Sequence, residues 1–237
     1  PHGHVAATLG TLRRLKLHEI IGSKPSRQRD LCVAMIVARI LEPGSKLATA
    51  SGLDPATLHS TLGELLRVES ADEDELYSAM DWLLKRQERI EDALARRHLG
   101  EGSFVLYDAP QTVQSYKKLS NVERAFRSHK TVDLHVRPIH HRKEDRVRAH
   151  VFLCMLAYYV DWHMRRALAP LLFEDDDKEA AEALRSSVVA PAQRSPRALS
   201  KIHSKRTEDG FPARSFQTLL ADLATIVKNR IQPRIGG

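Results

Sequence analysis

The chain has 237 residues, room for one large domain or two small ones, and 42% of them are hydrophobic, enough for a real core. Its net charge is +7 and its pI is near 9.5, a balance that suits a polyanionic partner. The longest apolar run, Val151 to Val160, falls well short of the ~20 residues a membrane-spanning helix needs, so no membrane partner is expected.

Residues 28–42, "QRDLCVAMIVARILE", predict a helix that is apolar nearly all round. It should stop at "EPG", because proline disfavours helix at the residue before it. The stretch "SADEDELYSAMDWLLKRQERIEDALARRHL" predicts one long amphipathic helix, with Ser70 as N-cap and acids in the first turn. Leu76, Met80, Leu83 and Leu84 recur at helical spacing, Ile90 and Leu94 continue the stripe, and Gly100 and Gly102 end it. "SFVLYD", residues 103–108, reads as a strand. Asn121 is placed to cap a helix running to about Lys130, and "TVDLHVRPI" alternates like a second strand. "EDRVRAHVFLCMLAYYVDWHMRRALAPLL" reads as a long helix, charged at its start, buried in its middle and stopping near Pro170. Residues 174–213 mix charge, Ser and Pro with little apolar periodicity, and read as a flexible segment with one short helix. "SFQTLLADLATIVKNRI" closes the sequence as an amphipathic helix. Cys32 and Cys154 each sit in an apolar run and read as buried, reduced thiols of a cytoplasmic protein.

The positive charge is not spread evenly. Residues 117–150 carry ten lysines and arginines against four acids, which accounts for nearly the whole net charge. Such clustering is an electrostatic footprint for nucleic acid; a solvated helix face followed by a basic loop is the plainer account. Five of the twelve histidines lie here too, but no cysteine does, and adjacent His140 and His141 point two ways on any regular element. They suit phosphate contacts or plain surface better than zinc. On the predicted helix Glu123, Arg127 and Lys130 share one face. The modest reading is a Glu–Arg pair worth a few tenths of a kcal/mol, at roughly 0.2–0.5. The sharper one makes Glu123 a metal ligand, with Arg127 and Lys130 gripping the phosphates.

These residues resemble the DDE-type transposases of bacterial insertion sequences, the group with a Y-(2)-R-(3)-E-(6)-K signature. Tyr116 takes the tyrosine place, Glu123 the glutamate and Lys130 the lysine at the proper spacing, while Leu119 stands where the arginine would be. "YKKLSNVERAFRSHKTVDLHVRPIHHRKEDRVRAHVFLCMLAYYV" is similar to that group over its whole length. So are "MIVARILEPGSKLATA", "DEDELYSAMDWLLKRQERIE" and "KRTEDGFPARSFQTLLADLATIV". The resemblance implies a ribonuclease-H-like core whose three carboxylates hold two divalent metals, Mg²⁺ or Mn²⁺, to cut and join DNA. Asp108, ending "FVLYD", and Glu123 are the implied catalytic and metal-binding carboxylates. Tyr116 and Lys130 are the implied DNA contacts near the cut, and Arg124, Arg127, Arg137 and Arg142 complete the DNA-binding candidates.

The second aspartate has no counterpart. Only 14 residues, none acidic, separate Asp108 from Glu123, where the resemblance implies most of a core sheet. An internal deletion near Asp108 follows, and Asp108 reads equally as the catalytic aspartate or as a loop acid at the junction. Two strands cannot rebuild that sheet, since a lone hairpin is marginal in water.

The expected fold is therefore mainly α with a few short strands, a partial remnant of a ribonuclease-H-like α/β core. Its units are an N-terminal helical region (1–102), the truncated core (103–173), the flexible segment (174–213) and a C-terminal helix (214–237). The expected function is DNA transposition with impaired catalysis. The alternative is a non-catalytic DNA-binding remnant that competes with intact transposase. The expected partners are the ends of an insertion sequence, with a homodimer left open, in the cytoplasm at the bacterial nucleoid.

Overall fold

The computed structural model describes residues 1–57, 59–98, 141–184 and 193–229. It is mainly α. The first two described stretches hold α1 (Gly3–Arg14), α2 (Leu17–Ile21), α3 (Arg27–Leu41), α4 (Lys46–Leu53), α5 (Leu62–Leu66), α6 (Glu73–Leu84) and α7 (Gln87–His98). The later ones hold α8 (Glu144–Leu168), α9 (Lys178–Ala183), α10 (Pro196–Ser204) and α11 (Phe216–Ala224). Among the described residues, extended pairing is limited to two isolated bridges, Leu172 with Arg214 and Arg206 with Pro212. The two predicted strands, 103–108 and 131–139, and the helix from Asn121 lie outside the described residues.

Helix α3 is the centre. The Ser26 hydroxyl accepts from the Arg29 amide at 3.3 Å and fixes its start. The helix stops at Leu41, two residues before Pro43, as predicted. Every residue from Leu31 to Val37 is buried, so the helix has no wet face over those two turns. It packs against α1, α6 and α8, and α6 packs against α8 in turn. Helix α6 presents Leu76, Ala79, Met80 and Leu83, a single stripe at i, i+3, i+4 and i+7. Helix α8 presents Leu153, Leu156, Ala157 and Val160, with Phe152 at the edge. Burying one such leucine contributes about 2 kcal/mol.

The long helix predicted from residue 71 is two helices. Asp72, not Ser70, is the N-cap, accepting from the Glu75 amide at 2.8 Å, and the Ser70 hydroxyl instead accepts from Arg27 at 3.4 Å. The break falls at Lys85 and Arg86, where the Arg86 amide turns back to the Leu83 carbonyl at 2.9 Å. The Arg86 guanidinium then donates to the Trp82 carbonyl at 3.1 Å and lies 3.7 Å over the Trp82 ring, sealing the end of α6. The turn brings Ile90 into the core and lays α7 against α2.

Two other predictions need correction. The last helix, expected over 215–231, ends at Ala224. Beyond it the Ile226 carbonyl accepts from the amides of His2 and Gly3, at 2.8 and 3.1 Å, and so satisfies first-turn donors of α1.

The second correction concerns 174–213, where two helices rather than one occur among the described residues, with a polar lock between them. The Lys201 ammonium, 3% exposed, donates to the Ala169 and Glu174 carbonyls and to Asp176, at 2.9, 2.8 and 2.8 Å. Ser195 caps α10 by accepting from the Ala198 amide, and its own amide and hydroxyl donate to Asp175 at 2.8 and 2.7 Å. Burial alone would raise the Asp175 carboxyl, but the bonds from Ser195 and from the Asp177 amide hold it below its ordinary value. The described residues of this charged segment are thus held together by polar bonds around Lys201 and Ser195.

Cys32 and Cys154 are both free and buried, as predicted. Burial pushes both thiols up, so neither is a thiolate nucleophile near neutral pH. Lys46, also buried, is lowered to about 8 by burial and then by Arg39.

Two glycines give opposite expectations. A Cβ on Gly63 would stand 2.0 Å from the Leu53 carbonyl oxygen, whereas one on Gly10, in mid-α1, meets nothing within 4 Å. Gly63→Ala should therefore destabilise the fold by about 2–3 kcal/mol, because backbone must move. Gly10→Ala should stabilise it by about 1 kcal/mol in the same urea titration. Lys201→Met should cost about 3 kcal/mol, since it leaves Asp176 and two carbonyls without their buried donor. Chemical denaturation of that variant against the wild type measures the loss.

Candidate nucleic-acid interface

Of the residues singled out in the sequence, Asp108, Tyr116, Glu123, Arg124, Arg127, Lys130 and Arg137 lie outside the described residues. Arg142 is described and exposed, just ahead of α8. It opens a short run of charge in which Lys143 and Arg148 are also exposed. Glu144 and Asp145 occupy the first turn of α8, where carboxylates complement the helix dipole. Arg148 lies 3.9 Å from Asp145. Arg146 is engaged by the protein itself: its guanidinium pairs with Asp81 at 3.0 Å and lies 4.5 Å over the Tyr77 ring. It therefore fastens α8 to α6, and the cations around it are the ones left to solvent. Asp81, Lys85 and Lys143 line a shallow cleft beside them.

A second surface gathers rings near the C-terminal half of α8. His98 Nε2 lies 2.9 Å from the Tyr159 hydroxyl, and the His163 ring stands 4.6 Å from Tyr159 and 4.7 Å from Trp162, edge-on to both. Arg166 lies 5.4 Å over Trp162. Burial lowers the His163 pKa, and the neighbouring His98, Arg166 and Arg97 lower it further. Rings beside cations are what stacking on a nucleic-acid strand requires, though such clusters also simply pack helices together. The sequence reading passed this cluster over because its members come from two helices, α7 and α8.

A third site is the cleft where His4, Glu42, Gly44, Ser51 and His59 meet between α1, α3 and α4. His59 pairs with Glu42, and burial lowers His4, whose Nδ1 is buried without a hydrogen-bond partner. Among the described residues no three His, Cys, Asp or Glu side chains come together in a way that could hold a metal ion. Nor is any described helix long and apolar enough to cross a membrane.

No protein-family model, curated protein or solved structure matches the chain.

The lowered histidines carry a pH dependence. His4, His18 and His163 all have folded values below the ordinary 6.5. The unfolded chain therefore takes up protons first as pH falls, and the stability present above 6.5 is lost below it. The melting temperature should fall from pH 7 to pH 5, and more gently in His163→Gln. Thermal melts across that range, followed by circular dichroism, check the slope.

Proposed function

We propose that this chain is a DNA-binding protein of transposition, of the DDE-transposase type, with catalysis impaired by loss of the second aspartate. The observation that carries the reading is the concentration of cations from Lys117 to Arg148, whose described end, Arg142, Lys143 and Arg148, is exposed at the entry to α8. Neutralising phosphates releases counterions, so such a surface binds duplex DNA with strong salt dependence.

The sequence blocks around Tyr116, Glu123 and Lys130 support the transposase assignment. Asp108 and Glu123 are the carboxylates offered for Mg²⁺ or Mn²⁺, and Tyr116, Arg124, Arg127, Lys130 and Arg137 are offered for the DNA. A ribonuclease-H-like remnant over 103–173 would be their scaffold. A two-metal site needs all its ligands held within a fraction of an ångström, and two carboxylates without a full sheet cannot provide that. The companion reading, a non-catalytic DNA binder that competes with an intact transposase, needs only the cationic surface.

Fluorescence anisotropy with a labelled duplex should show affinity falling linearly on a log–log plot against salt. Arg142→Gln should reduce that slope by about one unit, and do so equally for unrelated duplex sequences. An unchanged slope, or no binding at low salt, removes the reading. Nicking of element-end DNA in Mg²⁺ separates the two versions. Nicking lost in Glu123→Gln favours the enzyme, and equally little nicking by both chains favours the bare binder.

A further inference from the structure

Helix α8 is buried along one side only. The middle of the helix is buried as predicted at Phe152, Leu153, Cys154, Leu156, Ala157 and Val160, whereas Val151 is 37%, Met155 50% and Trp162 39% exposed. Together with the half-buried Tyr158, which also packs against the main core at the edge of the stripe, they recur at i, i+4, i+7 and i+11 on the exposed side of the helix. The stripe continues into charge at both ends. Glu144 and Arg148 extend it toward the N-terminus and Arg166 toward the C-terminus, all exposed and on the same face.

The order of these residues is self-complementary in one direction only. Glu144 and Arg166 lie equally far along the helix from Met155, which stands at the middle of the stripe. Laid antiparallel on a second copy about a two-fold axis through Met155, α8 sets Glu144 opposite the second copy's Arg166. The same superposition sets Arg148 opposite the second copy's Trp162. Both pairs occur twice, as two-fold symmetry requires. Laid parallel, the same face would set Glu144, Arg148 and Arg166 each against its own like charge, which is repulsive. The cations at the two ends already show the matching preference within one chain: Arg148 leans toward Asp145 at 3.9 Å, and Arg166 lies 5.4 Å over the Trp162 ring.

We propose that this chain self-associates through the Val151–Met155–Tyr158–Trp162 stripe of α8, as an antiparallel two-fold dimer clamped by Glu144 and Arg166. The contact is one helix against one helix, about 30 Å long, which places it among small, transient interfaces. Association is therefore concentration-dependent and weakened by salt, because two ion pairs flank a narrow apolar seam. It holds whether or not the chain binds DNA.

Sedimentation equilibrium of the full chain at low salt, without DNA, tests it. The average mass should climb from one chain toward two over about a hundredfold range of concentration. Met155→Asp should abolish the climb, while its circular dichroism and melting temperature stay near wild type because the site is exposed. Glu144→Arg and Arg166→Glu should each raise the dissociation constant at least about tenfold. An equimolar mixture of those two single variants should regain wild-type association, since each then meets the opposite charge. Met155→Cys should give a disulfide-linked dimer under mild oxidation, and Leu199→Cys, exposed on α10, should not. Three results overturn the proposal: a wild-type chain monomeric throughout, association only when DNA is added, or a mixture that binds no better than its separate components.

Discussion

Helix α3 has no side it can show to water over residues 31–37, and that sets the positions of its neighbours. A helix hydrophobic all round must be covered all round. Helices α1, α6 and α8 provide the cover, and each of them is amphipathic because its own outer side then faces solvent. The two buried thiols belong to this centre: Cys32 donates to the Ala79 carbonyl at 3.3 Å, tying α3 to α6, and Cys154 enters from α8. Even the cations near it are turned inward. Arg39, buried at the end of α3, reaches the Gly44 carbonyl at 3.1 Å and holds the chain as it bends into α4.

Around this centre the protein separates cations that hold the fold from cations that face outward. Arg86 closes α6, Arg146 joins α8 to α6, and Lys201 gathers the chain beyond α8 around one ammonium. Each has found oxygen or ring partners within the protein. Arg142, Lys143 and Arg148 stand beside Arg146 in sequence and lie on the exposed side. Net charge alone could not make that distinction. Arg146 and Arg148 differ in role because two residues turn the helix through about 200 degrees, and Arg142 and Lys143 precede α8.

That is also why parts of the fold were legible in the sequence and parts were not. The continuous apolar run at 31–37 and the proline at 43 announced α3 and its end, because local sterics and burial agreed. The break at Lys85 was hidden. The apolar spacing runs on across it to Ile90, and only the stacking of Arg86 on Trp82 shows that the chain turns. The lock at Lys201 was hidden for a different reason. Its partners, Ala169, Glu174 and Asp176, lie 25 to 32 residues earlier, and a segment rich in charge looks solvated until its acceptors are known. Helices α1 and α2 were not read at all, though Val5, Leu9 and Leu12 carry the helical spacing plainly. Of the candidate DNA-binding residues named from the sequence, Arg142 lies among the described residues, and its exposure ahead of α8 could not be read from residue type alone.

The Lys201 lock has a further consequence. The small apolar cluster beside it, Met164, Leu172 and Phe216, is separate from the main core. Among the described residues, those around Leu172 and Phe216 are thus held by this small cluster and by one dense polar knot. Such a region can come away cooperatively while the bundle behind it stays intact, a foldon with its own opening equilibrium. Its latch is an ammonium held by carbonyl and carboxylate oxygens, so that equilibrium answers to ions and denaturant differently from the oily centre. Of the two, the knot at Lys201 is the part that a change in ionic strength reaches first.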